Sequence, residues 1–321
     1  MAREKNSVAV SLTNFISSLF HNFGKLLFTN LLFALPAGLF FAIFWAINTL
    51  TGINSNFILF LTAIPVFPFY AGVVQVTSHM VRGEEDVAVF SNFKAGVKDN
   101  FLRFLIHGVI VYFAIFFSYY SILIYSKFGS VNNMYYVFLA VSIIITIFFL
   151  FAFYYVPSMT VTFDISMKHI YKNSALMTFG EFKHNLIATF GLFVLFLICA
   201  TVLMCCVVTI AVIIATIVLA FLILPSIVSF VINSAVYKPM YNMIVGAEEK
   251  SKEIDKKMEN RRKGQLFDDI EEEKSNIAKG FENISVDEND DADEYIYHNG
   301  KMVKRSVLLK MKKEAKNREA D

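Results

Sequence analysis

Charged side chains are scarce in this sequence. They make up 17% of the 321 residues, whereas hydrophobic residues make up 56% and phenylalanine alone occurs 35 times. Soluble domains usually contain about 25% charged residues, so the composition excludes an ordinary soluble globular protein. The formal net charge of +2 gives no reason to predict a nucleic-acid partner.

Cysteines are few, and motifs of catalysis are missing. Cys199, Cys205 and Cys206 lie within one apolar run, too close together for a disulfide framework and without the second pair or histidine of a zinc site. The sequence contains no GxxxxGK[ST] phosphate loop, no HExxH, and no GxSxG between a strand and a helix. We therefore predict a protein that is not an enzyme and has no cofactor, metal site or catalytic residue.

What the sequence does contain is a set of six long apolar segments. A helix needs about 20 apolar residues to cross the hydrocarbon core of a bilayer, which is roughly 30 Å thick. The sequence therefore predicts an all-α fold, a polytopic membrane helix bundle with about six transmembrane helices. The segments are 26–50, 57–78, 101–126, 134–156, 186–209 and 211–236.

Lysine and arginine fall on one side of the membrane that these segments imply. The connectors near 48–56 and 209–212 carry no charge, and the connector near 127–133 carries only Lys127. By the positive-inside rule, a multi-pass protein of the plasma membrane with both termini in the cytoplasm is expected, with the lipid bilayer as its first partner. Residues 186–236 contain no charge and are too long for one span, so a turn is required near 205–212.

Three amphipathic stretches each precede two crossings, and the later crossing of each pair contains proline. This order predicts interfacial helices and a possible threefold repeat of transmembrane hairpins. Each stretch ends in an asparagine, which marks the expected start of the next helix. The asparagines either cap these helices or form a ring at a pseudo-threefold axis. The stretches are 8–23, about 90–101 and 165–185, and the asparagines are Asn22, Asn100 and Asn185.

Four polar side chains near membrane depth are functional candidates, because polar groups are costly there. Gln75 and His79 share a helix face with Ser78; they either face a cytoplasmic vestibule or form an interfacial helix end. His107 either lines a cavity or hydrogen-bonds to a neighbouring helix. Asp164 is expected to cap or orient the segment that follows it.

The C-terminal part is polar and is expected to be cytoplasmic. An Asn-Gly pair at 299–300 between alternating apolar residues predicts a β-hairpin, followed by a short amphipathic helix. The candidate partner-binding residues of this tip are Tyr295, Tyr297, Val303 and Leu308, which either bind a partner or fold back onto the protein's own loops. The predicted domains are an N-terminal interfacial helix (1–25), a six-helix membrane domain (26–246), a charged helix with a flexible acidic linker (247–294) and a hairpin-plus-helix tip (295–321).

The second and third apolar segments are joined by four short motifs, Phe67–Ala71, Val81–Glu85, Val89–Lys94 and Lys98–Phe101. These motifs resemble the YesL family, bacterial integral membrane proteins whose domain has no established function. The resemblance extends over roughly residues 10–245. It implies an accessory or regulatory role in carbohydrate uptake, with a sugar-transporter membrane subunit or its regulators as partner, but no catalytic residue. A small transporter or channel is the alternative.

Overall fold

A computed structural model describes residues 13–53, 55–84, 87–206, 208–262, 295–298 and 301–306. Nearly all of these residues are helical. The helices are α1 (13–21), α2 (Phe23–Leu50), α3 (Asn56–Phe60), α4 (Ala63–Val81), α5 (Val89–Gly129), α6 (Met134–Thr162), α7 (Met167–Gly180), α8 (Phe182–Met204), α9 (Thr209–Ile217) and α10 (Leu224–Arg262), with a π-helical turn (Val218–Ile223) between α9 and α10; the strands are β1 (Tyr295–His298) and β2 (Lys301–Lys304).

Six helical spans among the described residues are long and apolar enough to cross a membrane. The prediction of an all-α polytopic bundle is therefore confirmed. The turn required by the length of the last apolar run is also confirmed, since α8 ends at Met204 and α9 begins at Thr209. The spans are Phe23–Leu50, Asn56–Val81, Val89–Gly129, Met134–Thr162, Phe182–Met204 and Thr209–Gly246.

The expected interfacial helix before the third crossing is not a separate element. It is the first part of α5, which runs without interruption from Val89 to Gly129. No proline interrupts this stretch, so nothing forces the helix to end. Its apolar stripe is divided between two environments, because Phe93 is buried in the bundle whereas Phe90 and Phe101 are exposed.

The N-terminal segment α1 also has two apolar faces. Phe15 and Leu19 pack against the buried core of the bundle, and the Phe15 ring lies 5.7 Å from that of Phe230. Ile16 and Phe20 are exposed. The segment is therefore attached to the bundle through one face, and residues 8–12 of the predicted amphipathic stretch lie outside the described residues.

The helices follow the predicted threefold order in part. An amphipathic segment and two spanning helices recur as α1, α2 and α4 and as α7, α8 and α10, whereas in the second unit α5 includes both the amphipathic segment and the first span, and α6 is the second span. The later helices α4 and α6 carry the longest buried stretches, and the later helix α10 buries Ile227, Phe230 and Val236. Residues 71–80 and 154–163 are buried without exception. The core of the bundle therefore lies where α4, α6 and α10 meet.

Glycine allows α4 and α5 to pack closely. A Cβ atom added at Gly96 would lie 2.6 Å from Gln75 Cβ, and one at Gly108 would lie 2.9 Å from the carbonyl oxygen of Ile64. Small residues at such contacts are typical of helix pairs in membranes, where backbones must approach for van der Waals packing.

The chain divides into two compact units after Met240. In the second unit, β1 and β2 pair antiparallel with Tyr295 opposite Lys304 and His298 opposite Lys301, which confirms the hairpin. Val303 is only 8% exposed, and Leu308 lies outside the described residues. The predicted domain boundaries stay predictions.

Candidate functional site

Six polar side chains of α4, α6 and α10 form a buried cluster, here called the polar core. Asn233 Nδ2 donates to Thr77 Oγ1 over 2.9 Å, and Ser229 Oγ lies 2.7 Å from the same oxygen. Ser158 donates to Asn233 Oδ1. Ser78 Oγ lies 3.3 Å from Thr162 Oγ1. The members are Thr77, Ser78, Ser158, Thr162, Ser229 and Asn233.

The polar core connects α4, α6 and α10, which are the later helices of the three predicted hairpins. Its members are hydroxyl or amide groups, none of which ionises near neutral pH. Hydrogen bonds of this kind between helices help to hold membrane bundles together, with an average near 0.6 kcal/mol in one well-studied case. The arrangement is suited to fixing three helices relative to one another.

Gln75 and His79 belong to a second polar chain that ends at the surface. Gln75 Nε2 lies 3.0 Å from His79 Nε2, and His79 Nδ1 lies 2.5 Å from Glu84 Oε2. If the glutamine amide donates, His79 carries its proton on Nδ1 and donates to the carboxylate. Both Gln75 and His79 are buried, so they do not face an open vestibule. Glu84, which sequence reasoning did not single out, completes the chain.

His107 is fully buried and hydrogen-bonds to two neighbouring helices. Its Nε2 lies 2.9 Å from Thr160 Oγ1 in α6, and its Nδ1 lies 2.5 Å from the Tyr171 hydroxyl in α7. Thr160 donates its own proton to the carbonyl of Val156, so His107 Nε2 must be the donor to Thr160. Nδ1 then accepts from Tyr171. The sequence allowed His107 either to line a cavity or to hydrogen-bond to a neighbouring helix, and the structure shows the hydrogen bonds.

The Tyr171 phenol is well suited to donate this bond. Burial raises its pKa above the usual range, because a buried group favours its uncharged form. The phenol therefore keeps its proton at neutral pH. The histidine and the tyrosine together attach the short helix α7 to the membrane bundle.

Asp164 does not cap the helix that follows it. The residue before α7 is Ser166, and Asp164 Oδ1 instead lies 3.4 Å from Arg103 NH2. Both side chains are about one-third exposed, and exposed ion pairs contribute little to stability. The contact links the end of α6 to α5.

The three repeated asparagines are buried but do not cap helices through their side chains. Asn22 directly precedes α2, yet no side-chain cap bond is present there. Asn100 lies inside α5 and Asn185 inside α8, so the prediction that they start helices is wrong. Asn22 and Asn100 each donate Nδ2 to the carbonyl four residues earlier, and Asn185 donates to Thr178. The bonds go to preceding backbone because the preceding helical turn occupies the amide groups that a cap would bind. Each of these bonds goes to a backbone carbonyl and not to another of the three asparagines.

Asn30 was not predicted, yet it stabilises a break in the last span. Its Nδ2 donates to the carbonyl of Ile223 over 2.8 Å, and its Oδ1 accepts from the Ser226 amide over 2.7 Å. These backbone groups flank Pro225, where the π-helical turn passes into α10. Proline lacks an N–H and disrupts the helical hydrogen bonds, and the buried amide side chain of Asn30 supplies hydrogen-bond partners to these two backbone groups. An isolated asparagine within an apolar run is the signal that would have identified it.

A cavity of about 620 Å³ lies among α4, α5, α6, α8 and α10. The described residues that line it are mostly aliphatic and aromatic. The Tyr119 hydroxyl accepts a hydrogen bond from Asn56, and the Tyr154 hydroxyl lies 3.0 Å from Thr189 Oγ1. The cavity therefore presents mainly apolar surface, and two of its hydroxyls already have partners.

The tail candidates are only partly described. Tyr295 is half-buried, and its ring centroid lies 5.7 Å from Lys304 Nζ. Tyr297 pairs with Met302 in the hairpin register. Among the residues that the structure describes, no group of three or more histidine, cysteine, aspartate or glutamate side chains is placed to hold a metal ion.

The fold and these sites define a multi-pass membrane protein built as a helix bundle with buried polar contacts. The profile of a family described as "Protein of unknown function, DUF624" matches residues 26–122. This region includes α3, α4 and most of α2 and α5, and therefore Gln75, His79 and His107. No curated protein and no solved structure matches the chain.

Proposed function

We propose that this protein is a non-enzymatic integral membrane protein that acts as an accessory or regulatory component of carbohydrate uptake. The observation that carries the proposal is the character of the bundle interior. The polar core is uncharged, and the candidates His79, His107 and Asp164 each bind another side chain of the protein. These contacts support a structural role for them.

The cavity also supports an accessory role over sugar transport. Ligand sites fix their ligands with precisely placed polar groups, and a sugar has a hydroxyl on most of its carbon atoms. The described lining of the 620 Å³ cavity is chiefly apolar, so it would leave most of those hydroxyls without partners. Burying unpaired hydroxyls is unfavourable.

The link to carbohydrate uptake rests on the resemblance to the YesL family, whose members are often encoded beside sugar transporters. The expected partner is the membrane subunit of such a transporter or one of its regulators, reached through the cytoplasmic loops and the tail. No nucleic-acid partner is proposed. The residues proposed for contact are Tyr295, Tyr297, Val303 and Leu308.

A small transporter or channel is the second candidate. The observation that favours it is the cavity itself, together with the π-helical turn before Pro225 in the last span. Interrupted helices are found at the binding sites of many transporters. The substrate of such a transporter would have to be largely apolar to suit the walls.

Gene deletion and reconstitution together distinguish the two candidates. For an accessory protein, deletion should alter growth on particular complex carbohydrates, and the purified protein in liposomes should show no saturable uptake of radiolabelled oligosaccharides. Affinity purification in mild detergent should recover a sugar-transporter subunit. Tyr295→Ala with Tyr297→Ala should reduce that recovery, whereas Val131→Ala, in a loop predicted to lie on the other side, should not. Substrate-specific flux by the protein alone would contradict the accessory role.

The plasma-membrane orientation, with both termini in the cytoplasm, belongs to the same proposal. It can be tested with single cysteines in a variant whose three native cysteines are replaced by serine. An impermeant thiol reagent should label Ser130→Cys in intact cells and should label Ser91→Cys only after the membrane is opened. Labelling at position 91 in intact cells would show that the orientation is reversed.

A further inference from the structure

Two histidines among the described residues are buried, and their partners differ in chemistry. His107 bonds to two hydroxyl groups, which are uncharged. His79 bonds to the amide of Gln75 and to the carboxylate of Glu84. Since each partner either donates or accepts a proton, the partners decide which protonation states the two rings can take.

The contacts of His107 favour a neutral ring. Thr160 donates its proton to the carbonyl of Val156, so it accepts from His107 Nε2, and Nδ1 accepts from Tyr171. A second proton on Nδ1 would displace the proton that Tyr171 donates. Arg103 lies one helical turn earlier on the same face of α5, and its positive charge opposes a charged ring. We therefore expect His107 to stay neutral.

The contacts of His79 suit either a neutral or a charged ring. The Glu84 carboxylate only accepts hydrogen bonds, so His79 Nδ1 carries a proton in both states. The other ring nitrogen faces Gln75, whose Nε2 lies 3.0 Å away. An amide both donates and accepts, and half a turn about its last bond exchanges its nitrogen for its oxygen. The Gln75 nitrogen therefore donates to a neutral ring, and the oxygen accepts from a charged one.

Turning this amide breaks no hydrogen bond of its oxygen. Within the part of the chain that the structure describes, Gln75 Oε1 is buried and has no hydrogen-bond partner. A neutral ring thus leaves an acceptor unsatisfied in a side chain that is only 4% exposed, which is unfavourable. A charged ring pairs that oxygen with His79 Nε2, and one hydrogen bond joins the two side chains in either state.

Charged and titratable groups approach His79 from several elements. Glu84 favours a charged ring, because hydrogen bonds between ionised groups are stronger, and Arg82 opposes it, with its Nε 3.6 Å from the second Glu84 oxygen. From α10, Tyr237 is near enough to feel both charges. On the α5 side, Gly96 packs against Gln75 and has no group to titrate. The Glu84 side chain is 38% exposed, so protons can reach the ring from water.

We propose that Gln75, His79 and Glu84 form a proton-operated switch, in which His79 takes up a second proton and the Gln75 amide turns its oxygen towards the ring. Histidine is the side chain whose charge ordinarily changes between about pH 5 and 8. His107 lacks a reversible partner of this kind among its two hydrogen-bond partners, so it does not take part. The switch is independent of the proposed role in carbohydrate uptake.

The switch acts on the connector between α4 and α5. Gly83 has a φ of +80° and turns the chain back at the end of α4, and the Glu84 amide then bonds to the carbonyl of His79 over 3.4 Å. The Glu84 side chain meets the ring of the same histidine. A charged ring therefore holds the start of this connector more strongly than a neutral ring.

Nitrogen NMR of the purified protein in detergent tests the switch. With nitrogen-15 in the histidine rings, a neutral ring shows one protonated nitrogen and a charged ring shows two. The signals are assigned with His79→Gln and His107→Gln. From pH 8 to pH 5.5, His79 should change from one protonated nitrogen to two, whereas His107 should keep one. A His79 ring that stays in one form over this range would overturn the proposal.

Glu84→Gln tests the role of the carboxylate and keeps the histidine in place. It should lower the ratio of charged to neutral His79 at pH 6.5 by about threefold to tenfold, since an opposite charge is removed. Glu181→Gln is the matched control, because Glu181 bonds to His184 over 2.8 Å and is similarly exposed. It should leave His79 unchanged. An equal ratio in Glu84→Gln and wild type would contradict the proposal.

Gln75→Met tests the reversible amide. Methionine has a similar length but cannot accept the proton of His79 Nε2, so the ratio of charged to neutral ring at pH 6.5 should fall about threefold or more. Thermal unfolding checks that the variant is folded, and the Glu84→Gln comparison decides the question if it is not. An unchanged ratio in folded Gln75→Met would show that the amide does not operate the switch.

A spin label at Ser91→Cys follows the connector. The position is exposed near the start of α5, and the three native cysteines are replaced by serine. Mobility of the label should rise from pH 6 to pH 8, and this rise should disappear when His79→Gln is added. A label at Ser130→Cys, exposed beyond the other end of α5, should show no such rise. Constant mobility at position 91, or an equal rise with His79→Gln, would contradict the action of the switch on the connector.

Discussion

Helix α6 passes through two different environments. None of its residues from 134 to 150 is buried. In contrast, every residue from Tyr154 to the end of the helix is buried, and so is Phe163, the residue that follows it. The first stretch contacts α5 through rings such as those of Tyr125 and Phe138, and together with α5 from Val111 to Gly129 it is called the open end. The second stretch contacts α4 and α10 through the polar core, and these contacts are called the closed end.

Hydroxyl groups occur in both regions but bond differently. At the open end, Ser142 donates to the carbonyl of Phe138 and Thr146 donates to that of Ser142, both within α6. At the closed end, hydroxyls such as those of Thr77 and Ser229 bond between helices. Lipid tails are as apolar as leucine, so apolar contact alone does not drive membrane helices together. The comparison indicates that bonds between helices and small residues decide where this bundle is tightly packed.

The largest expected effect comes from removing Asn30. Asn30→Leu leaves the Ile223 carbonyl and the Ser226 amide without partners in a buried site, and each unsatisfied group costs about 1 to 3 kcal/mol. We expect a loss of about 3 kcal/mol in the free energy of unfolding, measured by denaturant titration in detergent. Asn133→Leu is the matched control in the loop of the open end, where no side-chain cap bond is present, and it should change stability by less than about 0.5 kcal/mol. Equal losses in Asn30→Leu and Asn133→Leu would contradict the stabilising role assigned to the two Asn30 hydrogen bonds.

The next largest effect tests close packing by glycine. Gly108→Ala places a Cβ atom 2.9 Å from the Ile64 carbonyl oxygen, so α4 and α5 must move apart. We expect a loss of about 1 to 3 kcal/mol, as for other overpacked sites. In Gly38→Ala the added Cβ atom meets nothing within 4 Å, and the higher helix propensity of alanine should make that variant neutral or slightly more stable. A stable Gly108→Ala variant would show that the helices are not held at this distance.

The comparison of hydroxyl groups can be tested with nearly isosteric substitutions. Thr77→Val removes the oxygen that binds both Asn233 and Ser229 and should cost about 1 kcal/mol. Thr146→Val removes only a bond to its own helix and should cost less than about 0.5 kcal/mol. The two variants are compared in the same unfolding titration. A larger loss of stability for Thr146→Val than for Thr77→Val would contradict the explanation that hydrogen bonds between helices decide where the bundle is tightly packed.

The smallest effect concerns the attachment of α7. Tyr171→Phe leaves His107 Nδ1 without its donor and should cost about 0.5 to 1 kcal/mol. Because burial raises the pKa of Tyr171 in the folded protein above the unfolded value of 10.0, the favourable contribution is fully present below pH 10 and is lost as the pH rises towards the folded value. Unfolding titrations at pH 8 and above pH 10 should therefore show a smaller alkaline loss for Tyr171→Phe than for wild type. An identical alkaline loss would mean that another group titrates.

Part of the candidate site could be predicted from local spacing. Gln75 and His79 are four residues apart, which places them on one helix face, and both belong to the same polar chain. Their continuation to Glu84 requires the chain to leave the helix and turn back, which spacing along a helix cannot show. His107 was identified as a polar residue in an apolar span. Its partners Thr160 and Tyr171 are 53 and 64 residues away in sequence, so only the packing of α5, α6 and α7 identifies them.

The amino-acid sequence by itself determined the number of spans, the turn near residue 205 and the presence of the terminal hairpin, because hydrophobic length and turn chemistry act over a few residues. Only the tertiary structure decided that Asn100 and Asn185 lie inside helices, that Asn30 stabilises the break at Pro225, and that residues of five helices line one cavity. The physical reason is that a buried polar group binds whatever donor or acceptor the packing brings within about 3 Å. That neighbour is set by how helices distant in sequence meet.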